Sequence, residues 1–182
     1  MSARQDQPAH HFRVLGMRLD TVQTPDVVAQ LAEWTARHDR CRYVAVTGMH
    51  GVMEAQGDAE FRAILNEADL VVPDGMPLVW LGRLRGHNLK RRVYGPELML
   101  TFLQQTGGAY RHFFYGGAPG VPEQLAERLR LKVPALKVVG TFSPPYRALT
   151  EEEDAEIARQ INDAAPDVVW VGLGTPKQER WM

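Results

Sequence analysis

Asp69–Trp80, DLVVPDGMPLVW, carries a short apolar run straight into a proline, a carboxylate and a glycine, and then into a second apolar segment. A β-branched run closed by such residues reads as a buried strand that must turn sharply. The residues after the turn, from about Gly75 to Leu84, read as a helix. Asp74 at the strand exit then has two readings. It can cap that helix by accepting backbone N–H bonds, or it can take a proton from an attacking hydroxyl. The pattern alone does not choose between them.

Working outward from this stretch, the same alternation repeats. Upstream, RYVAV (42–46) reads as a buried strand ending at Thr47 and Gly48, and DAEFRAILNEA (58–68) as a helix capped by Asp58 with Phe61, Ile64, Leu65 and Ala68 on one face. HFRVLGMRLDTVQ (11–23) alternates around Gly16 like a short hairpin, and Thr24 before Pro25 reads as the N-cap of a helix carrying Val27, Val28, Leu31 and Trp34. Downstream come a helix in 95–108 closed by Gly107 and Gly108, a strand in 112–117 and a helix from about 119 to 131. The strand KVVGTF follows, then a helix over about 150–164 opened by a Thr150/Glu153 capping box, then the strand DVVWVGLG. Strands alternating with helices imply an α/β, Rossmann-like fold with a mainly parallel sheet flanked by helices and a short N-terminal β-hairpin. The expected organisation is a polar, disordered tail over 1–10 and a single domain over 11–182.

Composition narrows the function. With 45% hydrophobic and 24% charged residues among 182, the chain is globular rather than disordered. A net charge of −1 argues against whole-surface attraction to nucleic acid, leaving local patches open. Cys41 is the only cysteine, which excludes an intrachain disulfide and favours a reducing compartment. The start MSARQDQPAHH lacks the apolar core of a signal peptide, and no run is long enough to span a bilayer, so a cytoplasmic protein is expected. No His or Cys cluster has zinc-like spacing, and no metal is expected. His50 reads more simply as structural. RLRGHNLKRRV (83–93) is either a solvated loop or an electropositive rim for a diphosphate.

In open α/β sheets ligands bind where strands end. Those exits are TGMHG, PDGMP, YGGAPGV and GLGTPKQE. In YGGAPGV (115–121), Gly116 and Gly117 before a helix opening near Pro119 suit a phosphate or equally a tight turn without a ligand, since neither G-x-G-x-x-G nor a Walker sequence is present. In GLGTPKQE (172–179), Gly174 and Thr175 form a turn, Lys177 can meet a phosphate, Gln178 can read a sugar or base, and Glu179 can cap the next helix. A polar helix start is the plainer alternative.

Taken in order, VTGMHGVMEA, ILNEADLVVPDGMPLVW, RRVYGPEL, FFYGGAPGV, VVGTFSPPY and PDVVWVGLGTPKQERW resemble the WecG/TagA/CpsF family of bacterial glycosyltransferases over roughly residues 12–182. The resemblance implies a UDP-activated donor, typically UDP-N-acetylmannosamine, and an undecaprenyl-diphosphate-linked saccharide acceptor at the inner membrane face. Products of such enzymes feed teichoic acid, enterobacterial common antigen, capsule or exopolysaccharide synthesis. It also implies catalytic roles for Asp74, as general base, and Thr47, with Arg92 and Gln178 in the site. The substrate contacts expected are Arg92, Gly116, Gly117, Pro119, Gly174, Thr175, Lys177, Gln178 and Glu179.

The implied mechanism is an inverting, metal-independent displacement with no cofactor beyond the UDP-sugar. The helix start near Pro119, with Arg92 or Lys177, would stabilise the diphosphate. Peripheral membrane contact and a homo-oligomer are compatible partners; nucleic acid is not expected. Two departures stand out. Met49 occupies the position where many members have Asn, and the chain stops soon after PKQE, where members usually continue into a membrane-associated segment. The expectation is therefore a shortened form with weak turnover. The rival reading is a non-catalytic nucleotide-binding or regulatory module. An NAD enzyme is weakened by the missing G-x-G-x-x-G, and a scaffold subunit would lack nucleotide affinity.

Overall fold

Leu15 and Gly16 both take positive φ, 50° and 84°, the pair that a tight hairpin turn demands. They fold β1 (His11–Val14) back on β2 (Met17–Asp20) as an antiparallel hairpin in which Val14 faces Met17. The computed structural model describes residues 11–182, and the tail expected over 1–10 lies outside them. The chain divides into two compact units. One takes the residues up to Leu31, His38–Met99 and Thr175–Met182; the other takes Ala32–Arg37 and Leu100–Gly174.

After the hairpin come α1 (Thr24–Arg37), β3 (Val44–Thr47), α2 (Met49–Gly57), α3 (Ala59–Glu67), β4 (Leu70–Pro73) and α4 (Met76–Leu84). Then follow α5 (Gly95–Thr106), β5 (Arg111–Gly116), α6 (Val121–Lys132), β6 (Lys137–Phe142), α7 (Glu151–Ala164), β7 (Val168–Gly172) and α8 (Lys177–Trp181). The fold is α/β with parallel sheets and an N-terminal hairpin, as the sequence implies. The hydrogen bonding forms two parallel sheets: β3 pairs with β4, and β5 lies between β6 and β7.

Several boundaries differ from the sequence reading for local reasons. The cap of α1 is Gln23 rather than Thr24, because the Asp26 carboxylate reaches back to accept the Gln23 N–H at 2.9 Å. The helix α2 is new. Its glycines mask a helical pattern, and burial of Val52 and Ala55 holds it in place. Helix α6 starts at Val121 with Gly120 as its cap, so Pro119 lies in the turn ahead of it. At α3 and α7 the expected caps are present: Asp58 accepts the Phe61 N–H at 2.9 Å, and Thr150 and Glu153 form a reciprocal box.

In the first unit the hairpin supplies Phe12, Val14, Met17 and Leu19 to a core with Ala45, Phe61, Leu65, Val71, Leu78 and Leu89. Asp20, almost fully buried, joins the hairpin to β4 by accepting the Val71 N–H at 2.7 Å. Burial pushes its carboxyl up, opposed by that bond and by Arg18. Arg180 fastens α8 to α3. Its guanidinium bonds to Glu60 at 2.7 Å and to Asp58, and lies 5.9 Å from the Phe61 ring centre. In the second unit Phe102 packs edge-on against His112 and Trp170, with ring centres 6.1 and 5.9 Å away. His112 is fully buried, and its Nδ1 accepts the Trp170 indole N–H at 3.3 Å.

Candidate active site

The parallel register sets Thr47 opposite Pro73, so β3 and β4 end side by side. The Asp74 N–H donates to the Thr47 carbonyl at 2.8 Å and holds the two exits together. This closeness makes a demand at Gly48, where a Cβ would lie 2.7 Å from the Asp74 carbonyl oxygen. At Gly75 a Cβ would meet only ordinary contacts. The residue that permits the turn is therefore Gly48, across the strand pair from the Asp-Gly sequence that advertises it.

The carboxylate of Asp74 does not cap α4. Gly75 holds the cap position, with no side-chain hydrogen bond to the helix. Instead Asp74 Oδ1 is buried without a hydrogen-bond partner, and Arg92 Nη1 stands 3.7 Å from it. Burial pushes the Asp74 carboxyl above its ordinary range, partly opposed by the Arg92 guanidinium and by the Gly95 N–H at the start of α5. A carboxylate so destabilised in its charged form accepts a proton more readily. Arg92 itself lies 4.7 Å above the centre of the exposed Tyr94 ring, a cation–π contact that fixes its plane.

Thr47 is 1% exposed, and its Oγ1 also lacks a partner. Helix α2 runs past it at close range because residue 51 is glycine; a Cβ there would sit 2.2 Å from Thr47 Oγ1 and 3.7 Å from Thr175 Cγ2. Thr175 thus reaches the neighbourhood of Thr47 from the opposite end of the sequence. Its hydroxyl donates to Glu179 Oε1 at 2.8 Å, and the Gln178 amide donates to the same oxygen at 3.1 Å. Glu179 does not cap α8, which begins after Pro176. It is 1% exposed with Oε2 unpartnered, and works as a buried bracket for the side chains of Thr175 and Gln178. Lys177 is exposed on the first turn of α8, and His50 is exposed on the first turn of α2.

Thr47, Asp74, Arg92, Thr175, Lys177, Gln178 and Glu179 all belong to the first unit; Gly116, Gly117, Pro119 and Gly174 belong to the second. There the glycine pair has packing work to do. A Cβ on Gly116 would lie 2.3 Å from the Gly172 carbonyl oxygen, and the Gly117 N–H donates to that oxygen at 3.1 Å. Gly174, at φ 79°, faces open space. Gly48, Gly51 and the burial of Glu179 escape sequence reasoning, since each depends on a chain segment that approaches from elsewhere. Among the described residues no group of three or more His, Cys, Asp or Glu side chains is arranged so that it could hold a metal ion.

The model of the glycosyl transferase WecG/TagA/CpsF family matches residues 12–182. This chain belongs to that family. Among curated relatives, the N-acetylglucosaminyldiphosphoundecaprenol N-acetyl-beta-D-mannosaminyltransferase of Bacillus spizizenii (strain ATCC 23059 / NRRL B-14472 / W23) is 32% identical over 127 residues, covering 69% of this chain and 48% of the relative. The protein of the same name from Bacillus subtilis (strain 168) is 27% identical over 69% of this chain and 47% of its own length. The one from Staphylococcus aureus (strain NCTC 8325 / PS 47) is 24% identical over 93% of this chain and 65% of its own length. This family member thus spans about half the length of the two Bacillus relatives it matches.

Proposed function

We propose that this chain provides the catalytic centre of a glycosyltransferase. In this reading it moves N-acetylmannosamine, or a related hexose, from a UDP-sugar to an undecaprenyl-diphosphate-linked saccharide. Family membership and the names of the relatives support the transferase class and the lipid-linked acceptor. The observation that carries the mechanism is the buried, unpartnered Oδ1 of Asp74 beside Arg92.

In the proposed step the acceptor hydroxyl oxygen attacks the anomeric carbon from the face opposite the nucleotide. As the new C–O bond forms, Asp74 takes the hydroxyl proton and the bond from the anomeric carbon to the diphosphate oxygen breaks. UDP leaves with that electron pair, and the configuration inverts. Arg92 and Lys177 supply positive charge for the departing diphosphate, and Gln178, held by Glu179, orients the donor. Thr47 contributes a hydroxyl free to bond substrate.

The test pairs calorimetric titration of this chain with UDP, UDP-N-acetylmannosamine, UDP-N-acetylglucosamine and NADH with turnover of Asp74→Asn. The expected result is selective binding of UDP or one UDP-sugar, and about a 100- to 10,000-fold loss of turnover in the variant without a change in thermal stability large enough to unfold it. Wild-type activity should fall on the acid side as Asp74 takes up its proton, and that limb should disappear from whatever activity Asp74→Asn retains. Near-wild-type turnover by a folded Asp74→Asn refutes the base assignment, and binding of NADH alone refutes the donor.

A further inference from the structure

The sequence RRVYG, Arg91 to Gly95, leads from the basic loop into α5. Its Val93 is fully buried, and the residues on either side, Arg92 and Tyr94, are exposed. Three hydrogen bonds pin this backbone between β4 and α5. The Val93 N–H donates to the Pro73 carbonyl at 3.0 Å, the Leu98 N–H donates to the Tyr94 carbonyl at 2.9 Å, and the Gly95 N–H donates to the Asp74 carboxylate. The Tyr94 ring therefore stands on a fixed base next to Asp74, and the Arg92 guanidinium lies over it, 4.7 Å from the ring centre.

Other arginines of the molecule meet their carboxylates directly. Arg147 lays two nitrogens on Glu153, each at 2.6 Å, and Arg111 sets two on Asp167, at 3.3 and 3.1 Å. These are the two-pronged bonds that a guanidinium and a carboxylate form when neither is restrained. Arg92 instead stops 3.7 Å from Asp74 Oδ1, beyond hydrogen-bond range, and that oxygen has no partner. The carboxylate attracts the cation, so a second attraction must hold the cation back, and the ring face beneath it supplies one. We infer that Tyr94 is a positioning residue whose ring holds the Arg92 guanidinium off the Asp74 carboxylate and so keeps Oδ1 open.

The purpose of this arrangement rests on the proposed transferase reading. Held back by the ring, Arg92 supplies positive charge without occupying the oxygen that is to receive the acceptor proton, and its nitrogens stay available to the departing diphosphate. Without the ring the guanidinium would settle onto Oδ1, and a charge-assisted bond there would favour the charged carboxylate. Among the described residues Arg92 is the charged side chain that acts on Asp74; the Gly95 N–H also favours the charged form, and burial opposes both. Replacing Tyr94 by leucine therefore changes one of three influences and leaves the other two in place.

The experiment is an NMR titration of the Asp74 carboxyl in protein isotope-labelled at its aspartate carboxyl groups, without any substrate; the resonance missing from Asp74→Asn identifies it. Tyr94→Leu keeps an apolar side chain but removes the ring, and should lower the titration midpoint by about one pH unit. Tyr94→Phe keeps the ring and should titrate with the wild type. In an Arg92→Gln background Tyr94→Leu should move nothing, because the ring acts through the guanidinium. Tyr94 is exposed, and melting curves that match the wild type establish that the variants fold. An unmoved midpoint in Tyr94→Leu, or the same fall in the Arg92→Gln background, overturns the proposal. So does a fall in Tyr94→Phe as large as in Tyr94→Leu, which assigns the effect to the hydroxyl. Turnover separates the two readings: a midpoint that falls in Tyr94→Leu while Asp74→Asn keeps near-wild-type turnover supports the positioning role and refutes the base assignment.

Discussion

At the exit of β3 and β4, Thr47 Oγ1 and Asp74 Oδ1 are buried without a hydrogen bond, the latter facing Arg92 at 3.7 Å, whereas at the exit of β5 and β7 the backbone of Gly116 packs directly onto the Gly172 carbonyl. Both exits are parallel strand ends followed by a glycine-rich turn, and both fit the rule that ligands gather there. The rule identifies the places but not the difference between them. Buried polar atoms without partners cost free energy, so a fold retains them where they serve something other than stability. At the first exit two such atoms are a threonine hydroxyl and a carboxylate oxygen; at the second, glycine permits close backbone approach.

The largest stability effect belongs to the second exit. In Gly116→Ala the new Cβ would stand 2.3 Å from a backbone oxygen at a φ of 123°. A left-handed backbone and a clash with an atom that cannot rotate away together predict a loss of about 3 kcal/mol, readable as a fall in Tm or in denaturant midpoint. A melting curve that does not move would mean that the exit is loosely packed.

A second contrast concerns where each unit keeps a buried titratable group. Asp74 sits at a strand exit with charge beside it, but His112 sits at the other end of β5 among aromatic rings, and burial pushes its imidazole down to about 4. The unfolded chain takes up that proton near the ordinary histidine value of about 6.5. Between these values the unfolded state binds more protons, so stability falls as pH falls, by about 2 kcal/mol between pH 6.5 and 5. Asp20, whose carboxyl is pushed up, acts in the opposite direction. The informative quantity is therefore the difference between wild type and His112→Gln in denaturant titrations across this range. A constant difference would show that His112 does not carry the slope.

Much of this arrangement is legible in the sequence because it is local. Pro25 beside the start of α1, the Thr150/Glu153 box, the Asp58 cap and the alternating hairpin are each decided within a few residues. Asp74 stands out for the same reason, at the end of an apolar run. The features that resist reading are non-local. Nothing in Met49–Gly57 announces a helix, because what secures it is the burial of Val52 and Ala55 against other elements. The need for glycine at 51 shows only once Thr47 is seen beside it, and Glu179 reads as a helix cap until its burial joins Thr175 to Gln178. The choice between cap and working group at Asp74 likewise depends on Gly75 occupying the cap position and Arg92 arriving from the following loop.

The smallest expected stability effect is also the sharpest test of the contrast. Thr47→Val keeps the shape of the side chain and removes an Oγ1 that has no partner and a burial of 1% exposure. Where a hydroxyl is part of a satisfied core, that replacement leaves another group unpaired and costs stability. Here no partner is abandoned, and the methyl group is better suited to the space, so stability should stay level or rise by up to about 1 kcal/mol. If Thr47 serves substrate, the same variant should lose turnover or UDP-sugar affinity while gaining or keeping its Tm. A variant that is less stable and equally active would place the hydroxyl in the structure of the unit rather than in the site.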